Sequence, residues 1–479
     1  MDVPGHCLTR GENFYTNAKV IVRRTDLKGM TVMKMLIPLL ATTALLLSSC
    51  KCEFSVGNSD KKESSKPQTA EELYQEGVNQ LRAPGSNTSH PERALPLFLK
   101  AAEQGHAGAQ YNLGVMYERG TGVKADAVQA IAWYRKAAEQ KHVKAYYNLG
   151  VMIDNGRGVP EDPKEAFAWF QKAADAGITE AFYSLGFCYE SGRGVPADLG
   201  KAAGNYLKAA DGGDHSAQLN LGLMYEDGRG VEKDLKKALE WIGKAAGNGD
   251  ARALFNLGRI LERGGTGVQD LEKAIAAYRK AAEKGNPKAM TNLGLMYEDG
   301  RGVEKDPKEA VALYRKAVAL EDPLGMMNLG RMLIDGLGVD KDEAAGVEWF
   351  RKAAEKDNPI AQYNYALCLE DGRGVAKDRE KAVKYYEKSA ATGHLLAMVN
   401  LGLAYINGRG VSQDYARGLE WIRKAAEAGH PLGYMNLGLM AEEGFGQKKD
   451  PAKAREYYQK ALELGFAPAA ERLKKLKGK

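Results

Sequence analysis

The feature that most constrains the fold of this chain is a lysine that returns every 36 residues. The eleven positions are Lys100, Lys136, Lys172, Lys208, Lys244, Lys280, Lys316, Lys352, Lys388, Lys424 and Lys460. A fixed period between about 20 and 50 residues is typical of a solenoid or another repeat array. One phrase, NLGLMYEDGRGVEKD, even occurs twice without a change, at residues 220–234 and 292–306. We therefore expect about eleven copies of one unit over residues 71–466 and a capping helix at residues 467–479.

The sequence pattern within each unit predicts two helices joined by a tight turn. In the unit that contains Ala109, the residues Leu113 and Met116 continue an apolar stripe with helical spacing. Gly120 and Gly122 then break the helix, because glycine adopts the backbone angles that a tight turn needs. An aspartate follows, and its carboxylate at the N-cap can accept hydrogen bonds from the free N–H groups of the second helix. We call the residues that occupy one position in successive units a column. The aspartate column consists of Asp126, Asp162, Asp198, Asp234, Asp270, Asp306, Asp342, Asp378, Asp414 and Asp450.

Two further columns predict how the helices pack. The Ala109 position is alanine or glycine in every later unit, which lets helix axes approach closely. All five tryptophans share one position on the second helix: Trp133, Trp169, Trp241, Trp349 and Trp421. Large aromatic side chains between small residues predict a core that runs from unit to unit. A cage of aromatic side chains for a ligand is the alternative interpretation.

The combined pattern is A-x-x-N-L-G-x-M-Y-x-x-G-x-G-V-x-x-D, followed by A-x-x-W-Y-x-K-A-A. It resembles the Sel1-like repeat, a relative of the tetratricopeptide repeat, over nearly all of residues 71–466. The resemblance implies an all-α fold, a right-handed α/α superhelical solenoid with a concave groove. Members of this family usually act as scaffolds or adaptors, and many bacterial members are exported to the cell envelope. One branch, linked to penicillin binding, carries a disulfide in each repeat. This chain lacks those pairs, and Cys188 and Cys368, five units apart, are expected to be buried thiols.

The N-terminal part of the chain predicts an export signal. Lys34 is followed by an uncharged run, Leu36–Leu47, which is shorter than the roughly 20 residues that a membrane-spanning helix needs. Small residues then lead into a cysteine, as at the cleavage site of a secretory signal. The phrase LSSC resembles a bacterial lipobox, which implies that Cys50 is lipidated and anchors the protein to a membrane.

This interpretation divides the N-terminal region into three parts. Residues 1–32 fit no part of a signal and indicate an over-extended start, residues 33–49 are the lipoprotein signal peptide, and residues 50–70 are the lipidated cysteine and a disordered tether. Lys51 after the lipid site resembles the default sorting pattern for the outer membrane. We therefore expect an exported protein, lipid-anchored to the bacterial envelope at the outer membrane.

The sequence offers no catalytic, metal-binding or cofactor-binding constellation. It contains no H-E-x-x-H, paired C-x-x-C, G-x-S-x-G or Walker motif. His106, His142, His394 and His430 share one position and are expected to lie apart along the solenoid. The formal net charge of +6 leaves only +2 after residues 1–51, which hold seven basic and three acidic side chains. A body so close to neutral gives no electrostatic reason to bind nucleic acid. We predict a protein without enzymatic activity.

A column of asparagines is the best candidate for a binding site. It extends from Asn112 to Asn436, is broken only by Ser184, and lies at the edge of the apolar stripe. The amide could donate a hydrogen bond to the backbone of a neighbouring unit, or the row could hold an extended peptide. In tetratricopeptide clamps an asparagine at the corresponding place grips a peptide carboxylate, although the lysines of the clamp have no match here. The candidate residues are Asn148, Asn220, Asn256, Asn292, Asn328, Asn364 and Asn400.

The function that follows is an envelope-anchored scaffold or adaptor that binds protein or peptide partners along a concave groove. The alternative is a protein that binds peptidoglycan or polysaccharide, which exposed aromatic side chains in the groove would favour. A hydrolase of the cell wall or of β-lactams would need a nucleophilic serine or a pair of catalytic carboxylates, and no motif in the sequence indicates either. The sequence identifies neither the partner nor an oligomeric state.

Overall fold

The computed structural model describes residues 68–82, 90–264 and 269–477. All of them belong to one compact unit, Ser65–Lys479. The predicted signal peptide, Cys50 and residues 50–67 of the predicted tether lie outside the described residues.

The described residues form twenty-three α-helices and no strand. The first helices of the eleven repeats carry odd numbers: α1 Ala70–Arg82, α3 Ala107–Arg119, α5 Val143–Asp154, α7 Thr179–Ser191, α9 His215–Asp227, α11 Ala251–Arg263, α13 Pro287–Asp299, α15 Pro323–Asp335, α17 Pro359–Asp371, α19 Leu395–Asn407 and α21 Pro431–Glu443. The second helices carry even numbers: α2 Pro91–Glu103, α4 Ala127–Glu139, α6 Pro163–Asp175, α8 Leu199–Asp211, α10 Leu235–Gly247, α12 Leu271–Glu283, α14 Pro307–Ala319, α16 Glu343–Glu355, α18 Arg379–Ala391, α20 Tyr415–Glu427 and α22 Pro451–Glu463. One more helix, α23 Ala469–Lys477, follows the last repeat.

The aspartate column begins the second helices, as predicted from the sequence. All ten aspartates lie at the N-cap and accept at least one hydrogen bond from a backbone N–H of the first turn. Asp234, for example, accepts from the N–H groups of Lys236 and Lys237, both at 3.0 Å. The preceding first helix ends at Gly228, which has a left-handed backbone with φ of 73°. The duplicated fifteen-residue phrase therefore ends one helix, forms the turn and begins the next helix.

In most of the G-x-G turns that the structure describes, the second glycine is required by a close approach to the backbone of the preceding repeat. At Gly194 a Cβ atom would lie only 2.1 Å from the carbonyl oxygen of Pro163, at the start of α6 in the preceding repeat. Its φ of 75° is also in the left-handed region. Backbone contact at the turn thus fixes how each repeat sits on the one before it.

Each helix packs against its neighbours in the chain, so the core continues from one repeat to the next. The hydrophobic cluster around Tyr134, for instance, extends from Ala130 on α4 to Cys188 on α7. The small residue of the Ala109 column is buried in every repeat. This arrangement is an all-α solenoid, as the sequence predicted. No described helix has both the length and the apolar character that would let it cross a bilayer.

First helices of successive repeats approach one another directly. Cα atoms of α13 and α15, and of α15 and α17, lie within 8 Å. No pair of second helices is in comparable contact within the described part of the chain. In this part of the unit, the first helices therefore lie on the inner side of the local curve.

The tryptophans occupy a different place from the one that we expected. Each is only half-buried, and the ammonium group of a lysine three residues later lies 3.9–4.3 Å from its ring centroid. The fully buried large side chain is the next residue in the sequence, such as Tyr134 after Trp133. The core prediction was therefore wrong by one position, because the tryptophan lies at the edge of the core and its neighbour fills it.

Candidate functional site

A buried tyrosine and a glutamate join the two helices of six repeats. The hydroxyl group of Tyr278, for example, donates a hydrogen bond to Glu262 on the first helix at 2.6 Å. Burial and the neighbouring carboxylate both raise the pKa of Tyr278, so the hydroxyl stays protonated and keeps its role as donor. The six pairs, with oxygen–oxygen distances of 2.6–2.9 Å, are Tyr134–Glu118, Tyr206–Glu190, Tyr278–Glu262, Tyr314–Glu298, Tyr386–Glu370 and Tyr458–Glu442.

Four of the seven candidate asparagines bind these tyrosines from the following repeat. The amide nitrogen donates to the tyrosine hydroxyl at 3.1 Å for Asn148 and Asn292 and at 3.4 Å for Asn400. Asn220 forms the corresponding hydrogen bond with Tyr206. The hydrogen bond crosses between repeats, but its acceptor is a side-chain hydroxyl and not the backbone. These four amides therefore hold neighbouring repeats together.

The other three candidate asparagines lie in different surroundings. Asn256 has Ile242 at the tyrosine position, and its amide donates instead to the carbonyl oxygen of Arg252 on its own helix at 2.9 Å. Asn328 is buried, with 2% of its surface exposed. Asn364 is half-buried and has Phe350 at the tyrosine position. The column is thus not a uniform row of free amides.

Arginines from the following repeat neutralise the glutamates of this column. Most come from the G-R-G turn, 39 residues after the acidic residue, with nitrogen–oxygen distances of 2.6–3.0 Å: Arg157 with Glu118, Arg193 with Asp154, Arg229 with Glu190, Arg301 with Glu262 and Arg409 with Glu370. Each of these five junctions therefore carries an ion pair between repeats, and in four of them a tyrosine hydroxyl lies beside it. We call the glutamate, tyrosine, asparagine and arginine of one junction the junction network.

Two repeats lack the turn arginine and supply another one. Glycine and leucine stand at residues 265 and 337, where the partners of Glu226 and Glu298 would be. Arg259 and Arg331, each six residues earlier on the first helix, bind these glutamates at distances of 2.5–2.8 Å. The carboxylates are only 11% and 9% exposed. Because a partly buried carboxylate is costly without a partner, a second arginine position keeps each of these junctions neutral.

We missed the junction network in the sequence, although a signal for it was present. Each of the six tyrosines has a glutamate 16 residues earlier. Where phenylalanine or isoleucine replaces the tyrosine at 170, 350 and 422, the earlier residue is Asp154, Ile334 or Ile406. Ile242 is the exception, because Glu226 lies 16 residues before it, and Arg259 binds this glutamate. The pairing becomes visible in the sequence when the residue types of the glutamate column and the tyrosine column are compared with each other, repeat by repeat.

The first helices also present a surface that the junction network does not use. A column of apolar side chains lies one helical turn beyond the asparagines and is interrupted by Arg259 and Arg331. Most of these apolar side chains are half-buried, but Phe187 is exposed and Leu439 is buried. We call this column the apolar row: Val115, Val151, Phe187, Leu223, Leu295, Leu367, Leu403 and Leu439.

Exposed carboxylates line one edge of the apolar row, one helical turn further on. They form the acidic row: Asp227, Asp299, Asp335, Asp371 and Glu443. Three of them lie 3.5–3.8 Å from an arginine, but exposed pairs of this length contribute little. The first-helix surface of the later repeats is therefore apolar along its middle and acidic along one edge.

The four histidines that share a position lie at N-caps of first helices, where all but one of the other N-caps from α7 onward are aspartate or asparagine. The Nδ1 atoms of His106 and His394 accept a hydrogen bond from a backbone N–H. Burial lowers the pKa values of His142 and His430, and it lowers the pKa of His394 to about 4. The side chains of His106 and His394 therefore cap their helices, whereas those of His142 and His430 make no cap hydrogen bond.

The titratable side chains of the described ranges form no metal site. Three or more histidine, cysteine, aspartate or glutamate side chains nowhere converge on a metal position among these residues. Cys188 and Cys368 are buried and unpaired, and burial raises their thiol pKa values to about 11 and 12. These thiols are neutral at physiological pH and unreactive as nucleophiles.

The fold and the junction networks define a helical repeat protein of the scaffold type. A comparison with protein families matches the Sel1 repeat in eleven consecutive segments: residues 70–106, 107–142, 143–178, 179–214, 215–250, 251–286, 287–322, 323–358, 359–394, 395–430 and 431–466. The chain belongs to the Sel1 repeat family, whose repeats, like tetratricopeptide repeats, commonly mediate protein–protein interactions.

Solved structures of other repeat proteins are similar to this chain, and two of them are about a third identical to it over the matched residues. One is a protective antigen present in uropathogenic Escherichia coli strains that displays an SLR fold; it is 32% identical, with a TM-score of 0.65, over 85% of this chain and 88% of the antigen. The other is a Sel1 repeat protein from Oxalobacter formigenes, 32% identical with a TM-score of 0.53, over 66% of this chain and 94% of that protein. A comparison with curated proteins found no significant match.

The ion pair between Arg259 and Glu226 can be tested with a substitution cycle. Arg259→Leu introduces the commonest residue at this position, but it leaves the Glu226 carboxylate without its arginine. We expect the free energy of unfolding to fall by about 1–3 kcal/mol. The double variant Glu226→Ile/Arg259→Leu reproduces the apolar junction of Ile406 and Leu439, so it should recover most of this loss. Urea unfolding followed by circular dichroism measures both, and additive losses would contradict the pairing.

The burial of His394 predicts a loss of stability in acid. Its pKa in the folded protein, about 4, lies below the ordinary value of 6.5, so the unfolded chain binds the proton more readily. The stabilising effect is complete above pH 6.5 and is lost as the pH falls towards 4. His394→Asn keeps a cap like that of Asn358, which accepts from the N–H of Ala361 at 2.9 Å.

We expect the wild-type protein to lose about 1–2 kcal/mol more stability than His394→Asn between pH 7 and pH 5. Urea unfolding at the two pH values measures this difference. Equal losses in the two proteins would show that His394 is not the titrating group.

Proposed function

We propose that this protein is a scaffold of the bacterial envelope that binds a partner protein along the surface of its first helices. The observation that carries this proposal is the apolar row, which repeats at the same position from α3 to α21. A solenoid suits this use, because its surface grows with the number of repeats. The half-buried side chains of the row offer apolar area that a partner can cover without unfolding the core.

The charge of the surface indicates the chemistry of the partner. The acidic row borders the apolar row in the later repeats, so a partner segment with apolar side chains and neighbouring lysines or arginines is complementary to both. Electrostatic complementarity of this kind favours correct orientation and rapid association. We therefore propose a basic and apolar segment as the binding element of the partner.

A polysaccharide-binding function has less support. Tryptophan rings that bind sugars need an open face, whereas the five tryptophans of this chain lie on second helices and each ring faces a lysine of its own helix. Phe187 is the only aromatic side chain that is more than a third exposed in the described part of the chain. For a hydrolase, the described residues offer neither an activated nucleophile nor a convergent carboxylate pair. We therefore keep a non-enzymatic binding function as the proposal.

The anchoring part of the proposal rests on the sequence of residues 33–51. The basic start, the short apolar run and the LSSC phrase support lipidation at Cys50, and Lys51 supports sorting to the outer membrane. The rest of residues 50–70 would then act as a tether between the lipid and the repeats.

Lipidation can be tested by changing Cys50 alone. We expect the wild-type protein to fractionate with membranes and to incorporate an alkyne-labelled fatty acid in growing bacteria. Cys50→Ala should lose the label and leave the membrane fraction, whereas Cys52→Ala should keep both. Labelling of Cys50→Ala, or unlabelled wild-type protein in the soluble fraction, would contradict the lipid anchor.

The binding surface can be mapped by crosslinking in living cells. A photoreactive phenylalanine analogue at Leu295 or Leu367 places the crosslinker on the apolar row. The same analogue at Val128, which is 61% exposed on the second helix α4, provides the control. We expect one crosslinked product from both row positions and none from Val128, and Leu223→Asp should reduce its yield severalfold. Products from Val128 alone would place the binding surface on the second helices.

A further inference from the structure

One junction between repeats contains an open cavity. It lies between α5 and α7 and has a volume of about 150 Å³. Its apolar wall includes Val151, Phe187 and Cys188, while Asp154, Phe170 and Ser184 occupy the junction positions. Val151 and Phe187 are members of the apolar row, so the cavity opens on the surface that we propose binds the partner.

The cavity exists because all three side chains of this junction network are shortened. Asp154 stands in the glutamate column and lacks one methylene group, Phe170 stands in the tyrosine column and lacks the hydroxyl group, and Ser184 is the single break in the asparagine column. No other junction in the described residues combines these three replacements. The space that a glutamate, a tyrosine and an asparagine fill elsewhere is therefore vacant here.

The polar side chains at the junction positions already have partners, and four of the eight lining residues are apolar or a thiol, so the cavity suits an apolar group. The carboxylate of Asp154 binds the Nε atom of Arg193 at 2.7 Å. The hydroxyl group of Ser184 donates to the carbonyl oxygen of Glu180 at 3.2 Å. Burial raises the thiol pKa of Cys188 to about 11, so the thiol is uncharged at neutral pH. Neither Asp154 nor Ser184 needs a polar ligand.

The size and the surroundings of the cavity indicate a single side chain of a protein partner. Pockets for drug-sized molecules have volumes of about 300–1,000 Å³, so this one is too small for a whole ligand of that size. It is flanked by Phe187, which is 45% exposed. Glu180, one helical turn before Ser184, is exposed, and no ion pair reaches its carboxylate from the described residues. A cation beside the inserted side chain would be complementary to Glu180.

We propose that this cavity anchors one bulky apolar side chain of the partner segment, with a lysine or arginine next to it that pairs with Glu180. The inference rests on the proposed function and makes it more specific, because it names the position on the apolar row where binding energy concentrates. Buried anchor residues in well-packed pockets carry most of the energy of protein interfaces. We call this cavity the anchor pocket.

The other junctions of the chain supply the residues for a matched variant that tests this proposal. Asp154→Glu/Phe170→Tyr/Ser184→Asn restores the residues that the other junctions carry, so it should fold with a complete junction network and a filled anchor pocket. Glu180→Gln removes the charge without changing the pocket. Circular dichroism and urea unfolding check that both variants fold like the wild type.

Three capped dipeptides serve as probes: N-acetyl-Phe-Lys-amide, N-acetyl-Phe-Glu-amide and N-acetyl-Ala-Lys-amide. Saturation-transfer NMR with the full-length protein measures their binding. We expect Phe-Lys to bind, Phe-Glu to bind about 3–10-fold more weakly because of repulsion from Glu180, and Ala-Lys not to bind. The triple variant should weaken Phe-Lys at least about tenfold, since it fills the pocket. Glu180→Gln should remove the difference between Phe-Lys and Phe-Glu.

Equal binding of Phe-Lys by the wild type and the triple variant, or no binding of Phe-Lys by the wild type, would overturn the anchor pocket. The crosslinking experiment separates this failure from failure of the proposed function. If the triple variant still crosslinks from Leu295 and Leu367 at the wild-type yield, the pocket is not the anchor and the scaffold proposal stands. If the wild type gives no product from either row position, the scaffold proposal itself fails.

Discussion

The hydrogen bond between a buried tyrosine and a glutamate, present in six of the eleven repeats, is the interaction around which the polar junctions of this protein are built. It joins the two helices of a repeat through groups that could not be buried alone, because a hydroxyl without an acceptor and a carboxylate without a donor are both costly. The next repeat supplies the arginine and, at most of these junctions, the asparagine that complete the arrangement. A repeat therefore satisfies its own buried polar groups only when its neighbour is in register. This requirement adds geometric specificity to the apolar core, which by itself would tolerate small shifts between helices.

Much of the fold could be predicted from the sequence because its causes are local. The aspartate N-caps and the glycine turns depend on residues within a few positions, and the 36-residue period transfers one correct interpretation to all the units. The tryptophans show where this reasoning stops. Neighbouring positions on a helix differ by about 100°, and the sequence does not show whether Trp133 or Tyr134 faces the partner helix. The structure places Tyr134 in the core and Trp133 at its edge.

The candidate site was harder to predict, because the partners of the asparagines lie in another repeat. Asn292 and Tyr278 are 14 residues apart, and only the stacking of α12 against α13 brings them together. The structure shows that four asparagines of the column link neighbouring repeats, while the binding role of the column stays a prediction. The surface that remains for a partner is the apolar row, whose side chains look like ordinary core residues in the sequence. The structure shows that most of them are only half-buried, which their residue type does not reveal.

The two alternative arginine positions bear on how the number of repeats can change during evolution. If residues 251–286 were deleted, Arg301 would arrive 39 residues after Glu226, at the position that glycine now occupies. If residues 395–430 were deleted, Glu370 would instead meet Leu439 and Phe445 and would have no cation beside it. Recombination between these similar repeats can thus shorten the array without electrostatic cost at some junctions but not at others. The history of gain and loss in such an array is constrained by charge as well as by sequence similarity.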